Sequence, residues 1–173
     1  MLDSFAGAAI YGIFDLKSGF DSCVLAPVSH DMTTFGVNRM GSLRQTTLPQ
    51  GYMNSPAEFQ RQTTHMIEPM IPDKADVFID DCALKGIKTQ QQDEPILENP
   101  QIRKFIWEYA LNLQELLLRI KESRATISGS KMVLATPQLS MLGTVVSING
   151  MHISHEITAK LKKWPTCQNP SEV

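Results

Sequence analysis

The chain has 173 residues, 42% of them hydrophobic and 20% charged, which is enough apolar side chain for one sizeable core and excludes wholesale disorder. Sixteen Lys and Arg against 18 Asp and Glu leave a net charge of −2, which is not the signature of an autonomous nucleic-acid binder. Cys23, Cys82 and Cys167 form no CxxC pair, which excludes a disulfide framework or zinc ribbon and predicts reduced thiols in an intracellular, non-secreted protein.

The apolar start FAGAAIYGIF, residues 5–14, is too short for a membrane span and reads as the approach to a buried strand, so no membrane partner is expected. Such an opening, without a polar lead-in, also suggests a preceding segment. A first strand is expected over Ile10–Leu16, then a bend at Ser18 and Gly19 and a second strand-like stretch over Phe20–Pro27. Thr33–Val37 and Leu43–Leu48 read as further short strands before the breakers Pro49, Gln50 and Gly51. Asn54 or Ser55 then caps a helix with Pro56 in its first turn, and Phe59, Thr63, Met66, Ile67 and Met70 share its apolar face.

Val77–Ile79, the acidic pair Asp80–Asp81 and Cys82–Leu84 read as strand, turn, strand. Residues 86–100 form a polar loop, and a periodic helix over 102–122 presents a stripe of Ile102, Phe105, Ile106, Tyr109, Leu113, Leu116, Leu117 and Ile120, better suited to packing on a sheet than to a coiled coil. Gln138–Ser147 reads as one strand, Asn149–Gly150 as a hairpin turn, Met151–Ile153 as the return strand and 156–163 as a short basic helix. Charge is uneven along this path: residues 1–99 carry 13 acids and 7 bases, residues 100–173 carry 5 and 9.

Asp15, Asp80 and Asp81 each sit at or inside an apolar strand, where an ionised carboxylate is expensive to desolvate without a cation or donors. Converging from two neighbouring strands, they could hold two Mg²⁺ ions about 3.5–4 Å apart for phosphoryl or nucleotidyl transfer. The residues alone leave a second reading open, in which the three are turn residues facing water.

FDLKSGF at 14–20, LPQGYMNSPAEFQ at 48–60 and VFIDD at 77–81 stand in this order along the chain, and they resemble, respectively, the first catalytic motif, the nucleotide-contacting turn and helix, and the two-aspartate hairpin in the palm of reverse transcriptases of the gypsy-like long-terminal-repeat retrotransposons. SGSKMVLATPQLSMLGTVVSINGMHIS at 128–154 is similar to the strand and hairpin that follow, and KLKKWPTCQNPSEV at 160–173 to the lead into the thumb. The resemblance implies an α+β fold in which a small antiparallel sheet packs on helices as a palm with part of the fingers. Residues 1–173 would then be a partial domain lacking the early fingers, the thumb and RNase H, with a polar insert loop at 86–100 inside a section, 82–126, that is longer than is usual in the family.

Carried over residue by residue, the resemblance implies Asp15, Asp80 and Asp81 as catalytic, metal-binding carboxylates for two Mg²⁺ or Mn²⁺ ions, with the carbonyl of Leu16 as a further ligand. Phe20 would be the aromatic gate under the incoming sugar, Gln50 and Gly51 the turn approaching the nucleotide, Lys131 a stabiliser of the leaving pyrophosphate, and Leu142 and Gly143 the primer grip. The implied activity is RNA-directed DNA polymerisation within a retrotransposon polyprotein, with an RNA or DNA template, a primer and deoxynucleotides as partners. Phe78 departs from the pattern, standing where the family usually carries Tyr. The alternatives are a catalytically inert retroelement remnant or protein-interaction module and, third, a two-metal nuclease.

Overall fold

Alternation in the strand YGIFD organises the molecule: Tyr11 and Phe14 are both fully buried, yet they point to opposite sides of one sheet, so each side needs its own cover. The computed structural model describes residues 2–88 and 94–164; Cys167, part of the loop expected at 86–100 and the segment 165–173 lie outside the described residues. Helix α1 (Leu2–Phe5) leads to β1 (Tyr11–Asp15), α2 (Gly19–Ser22), a 3₁₀ segment (Pro27–Thr33), the ribbon β2 (Phe35–Val37) and β3 (Gly41–Leu43), then α3 (Ser55–Ile67). The hairpin β4 (Ala75–Phe78) and β5 (Asp81–Lys85) follows, then α4 (Lys104–Glu122), β6 (Val133–Thr136), β7 (Gln138–Met141), β8 (Thr144–Ser147), β9 (Gly150–Ile153) and α5 (His155–Lys162). Among the described residues no helix is long and apolar enough to cross a membrane.

The central antiparallel sheet has the order β4-β5-β1-β6. On one side Phe14, Val77, Cys82 and Leu84 meet Phe59 and Ile67 of α3 and Phe105, Tyr109, Leu116 and Ile120 of α4. On the other, Tyr11 and Ala83 pack with Phe5, Ala8, Leu139, Met141 and Val146, so α1 and the three-stranded sheet β7-β8-β9 cover the second side. Each large apolar side chain buried this way contributes about 1.5–3 kcal/mol. The buried Tyr109 hydroxyl donates to the Tyr11 carbonyl at 3.3 Å and accepts from the Ala135 amide at 3.3 Å, tying α4 to β1 and β6. Gly12 lies beneath that hydroxyl, and a Cβ there would collide with it. This is the expected α+β class, and the long helix packs on the sheet through Phe105, Tyr109, Leu116 and Ile120 of the expected stripe, whereas Ile102 precedes the helix and Leu117 is exposed.

Four local expectations are corrected. Residues 20–27 form no strand: Ser18 at φ 53 turns the chain into α2, whose short helical turn seats Gly19 against the Phe59 ring. The second strand of the ribbon is Gly41–Leu43, not Leu43–Leu48, because Gly41 at φ 82 closes a tight ribbon earlier. The stretch 138–147 is two strands, reversed by Leu142 and Gly143 at φ 51 and 74, a pair of left-handed residues that specifies a two-residue type I′ turn. Ser147 pairs with Gly150, so the next turn is Ile148–Asn149 and Gly150 already belongs to β9.

Candidate active site

The antiparallel register of β1 and β5 sets Asp15 directly opposite Asp81. Cross-strand partners share a face, and like charges placed there repel. Burial first, and then the charges of Asp80 and Asp15, push the Asp81 carboxyl above its ordinary range, while Lys131 pulls the other way. Asp80 joins them through the backbone, its carbonyl accepting the Leu16 amide at 2.8 Å.

The segment after α4 closes the other flank. Its Thr126 carbonyl accepts the Lys17 amide at 2.7 Å, and the Ser128 amide donates to the Asp15 carbonyl at 2.8 Å. That anchoring brings Lys131 Nζ to 2.8 Å from Asp15 Oδ2, an ion pair between residues 116 positions apart. Asp15 is the more enclosed partner, with its side chain 16% exposed against 66% for Lys131. The ammonium pKa is raised, chiefly by this hydrogen bond and the Asp15 charge.

Phe78 pairs with Asp81, so Ile79 and Asp80 are the two loop residues of a hairpin. Ile79 has φ 57, the left-handed value that the first position of a type II′ turn demands and that glycine normally supplies. A β-branched residue there is strained, and Gln60 of α3 holds it. Its Oε1 accepts the Ile79 amide at 2.7 Å, and its Nε2 donates to the Val77 carbonyl and to Thr64 Oγ1, both at 3.0 Å. Gln60 is therefore a positioning residue that sequence reasoning missed, although it closes the LPQGYMNSPAEFQ segment; only the fold reveals that its amide reaches the hairpin.

A cavity of about 630 Å³ opens in front of these groups, lined by Asp15, Leu16, Phe20, Gln50, Asp80 and Lys131 together with Lys17–Gly19, Phe59 and Thr126–Ser130. Phe20 rests on the buried Phe59 ring, centroids 4.8 Å apart. Six of the expected site residues thus share one cavity. Asp81, Asp15's ladder partner, is not among the lining residues, and Gly51, exposed at φ 82, follows Gln50 without lining the cavity. Leu142 and Gly143 sit apart at the β7–β8 turn, where Gly143 is packed under Ile157 of α5.

The donor chemistry is that of a hard divalent cation: carboxylate oxygens of Asp15, Asp80 and Asp81 and the backbone carbonyl of Leu16. Among the described residues no three His, Cys, Asp or Glu side chains are gathered closely enough to hold a metal ion, and the positive charge beside Asp15 is that of Lys131. The set fits a divalent ion by charge and donor type.

The family model for reverse transcriptase (RNA-dependent DNA polymerase) matches residues 2–146. The chain is 35% identical over 86 residues, half its length, to the retrovirus-related Pol polyprotein from transposon 412 of Drosophila melanogaster, and 26% identical over 153 residues, 88% of its length, to polyprotein P3 of Commelina yellow mottle virus. It spans only 7% of each of those polyproteins. Among solved structures, the foamy viral protease-reverse transcriptase in complex with dsDNA superposes with a TM-score of 0.76 at 21% identity, covering 99% of this chain and 32% of that one. The same enzyme in complex with an RNA/DNA hybrid gives 0.71 at 20%, covering 96% and 20%. These two likenesses show the fold; the match over residues 2–146 shows that the chain belongs to the reverse transcriptase family.

Proposed function

We propose that this member of the reverse transcriptase family is the catalytic palm, with part of the fingers, of an RNA-directed DNA polymerase carried in the polyprotein of a gypsy-like retrotransposon. The observation that carries the reading is the convergence of Asp15, Asp80, Phe20, Gln50 and Lys131 on one cavity, with Asp81 locked opposite Asp15 by strand register. Template, primer and deoxynucleotide are its partners, with the remaining fingers, thumb and RNase H supplied elsewhere in the polyprotein; the transposon 412 relative and the nucleic-acid complexes of the foamy viral enzyme support this.

Asp15, Asp80, Asp81 and the Leu16 carbonyl would hold two divalent ions, Mg²⁺ or Mn²⁺. Bound there, such ions lower the proton affinity of a primer 3′-hydroxyl and neutralise charge on departing pyrophosphate. Phe20, braced by Phe59, forms the floor under the sugar and excludes a 2′-hydroxyl by contact. The Gln50 amide offers a donor and an acceptor to the nucleotide, and Gly51 lets the backbone come close. Lys131 meets the negative charge that develops on the leaving group.

The test is primer extension by the full polyprotein product. Asp80→Asn is expected to lower the extension rate at least a thousandfold while leaving the fold intact; extension at the parent rate would sink the assignment. A second reading, an inert remnant used for protein interaction, draws on Trp107, Leu111 and Leu118, which stand exposed along α4. It predicts a folded protein in which the parent and the Asp80→Asn variant are equally inactive.

A further inference from the structure

We infer that Lys131 is a built-in counter-ion that offsets the carboxylate cluster before metal arrives and competes with metal for Asp15, so that it lowers the affinity of the site for the first divalent ion. The inference rests on the metal-centre reading above and adds a second task to a residue assigned there only to the leaving group.

Three observations converge on it. First, β1 and β5 bring Asp15 and Asp81 face to face with Asp80 adjacent, a clustering of like charge that the sheet register enforces whether or not a cation is present. Such a cluster opposes folding unless something positive stands beside it. Second, the nearby ammonium groups are not equivalent. Lys17 and Lys131 both line the cavity, but only Lys131 makes an ion pair with a carboxylate there, at 2.8 Å from Asp15 Oδ2. Third, its reach is prepared by the backbone, since Ser128 is bonded to the Asp15 carbonyl and the Lys131 amide is in turn bonded to the Ser128 carbonyl at 3.2 Å.

A carboxylate oxygen engaged by an ammonium presents less charge to a metal, so Lys131 and the ion compete for Asp15. The long, exposed stem lets the ammonium swing away without disturbing the sheet, and leaves it in the same cavity, where the leaving phosphates would lie. The coupling is modest because the lysine is largely in solvent, and a solvated pair of this kind shifts an equilibrium about two- to fivefold.

The experiment is titration of the 173-residue chain with Mn²⁺ alone, followed by calorimetry and by thermal melting in chelator. Lys131→Met is expected to bind Mn²⁺ about two- to fivefold more tightly. It should also melt at lower temperature than the parent in chelator, a deficit that closes at saturating Mn²⁺. Lys131→Arg should bind Mn²⁺ like the parent. Lys17→Met removes the same charge from the same cavity without touching Asp15 and should change the affinity less than Lys131→Met. Equal affinities for the parent and Lys131→Met, or an equal gain in Lys17→Met, would overturn the counter-ion role while leaving the metal centre standing. No Mn²⁺ binding by any of the folded proteins would overturn both.

Discussion

At the scale of single residues, the site gathers electrostatic tension in one carboxyl, and one aromatic contact carries the proposed sugar selectivity. Asp81 has its proton affinity raised by burial and by Asp80 and Asp15, so without metal the folded state holds that proton more tightly than the unfolded chain does. By linkage, its contribution weakens folding as pH climbs from the ordinary carboxylate range through the raised value, and is absent below both. Asp81→Asn should therefore stabilise the metal-free chain at pH 7, with the gain shrinking towards zero as pH falls below the unfolded carboxylate pKa of about 4. Urea melts at the two pH values, in chelator, read this directly; a gain that grew on acidification would mean Asp81 is not under repulsion. Phe20 is a separate matter, because its ring rests on Phe59, against which the neighbouring Gly19 packs too closely to carry a side chain. Phe20→Val should keep the fold and open the floor, raising incorporation of ribonucleotides relative to deoxynucleotides at least tenfold in the full polyprotein product. Unchanged discrimination would make Phe20 a core residue only.

At the scale of elements, two tight turns carry residues that no turn would choose for itself. Ile79 at φ 57 and Leu142 at φ 51 both occupy left-handed positions, which cost a bulky L-residue about 1–2 kcal/mol each. Gln60 holds the first, so Gln60→Leu should lose about 1–2 kcal/mol of stability by orphaning the Ile79 amide and the Val77 carbonyl. Gln60→Glu keeps the acceptor for Ile79 and should lose less; chemical denaturation ranks the two. For the second turn, Leu142→Asn should gain about 0.5–1 kcal/mol, because Asn-Gly suits a type I′ turn. If Leu142 grips the primer, the same change weakens extension, which separates a stability optimum from a functional one. These turns also mark how far the sequence could be read. The apolar runs YGIF and VFI and period 3.6 over 104–122 were legible because burial selects them, while Asp15, Asp80 and Phe20, which line one cavity, were picked out together by the resemblance. The split of 138–147 was not, since Leu142 breaks no pattern and only Gly143 marks a turn. Nor was the Gln60 clamp, which spans 17–19 residues and leaves no periodic trace.

At the scale of the whole molecule, charge is distributed along the chain in a way that bears on duplex binding. The first 99 residues carry 13 acids and 7 bases and contain all three site aspartates, while residues 100–173 carry 5 acids and 9 bases. The fold gives part of that basic half a location. Helix α5 carries Lys160 and Lys162, with Lys163 at its C-cap, and starts beside the β7–β8 turn: the Ser154 amide donates to the Gly143 carbonyl at 2.9 Å and Ile157 packs over Gly143. If that turn touches a primer, these lysines reach the same phosphate backbone. Phosphate contacts make affinity fall with salt by a slope of about 0.9 per neutralised charge. The double variant Lys160→Glu, Lys163→Glu should therefore flatten the salt dependence of primer–template binding by about 2 in slope and weaken binding equally across sequences. Reversing Arg39 and Arg44, on the ribbon side of the fold, serves as the comparison and should change the slope less. Fluorescence anisotropy across a salt series decides it: equal changes in the two double variants would mean that non-specific charge, and not the placement of α5 beside the turn, governs the contact.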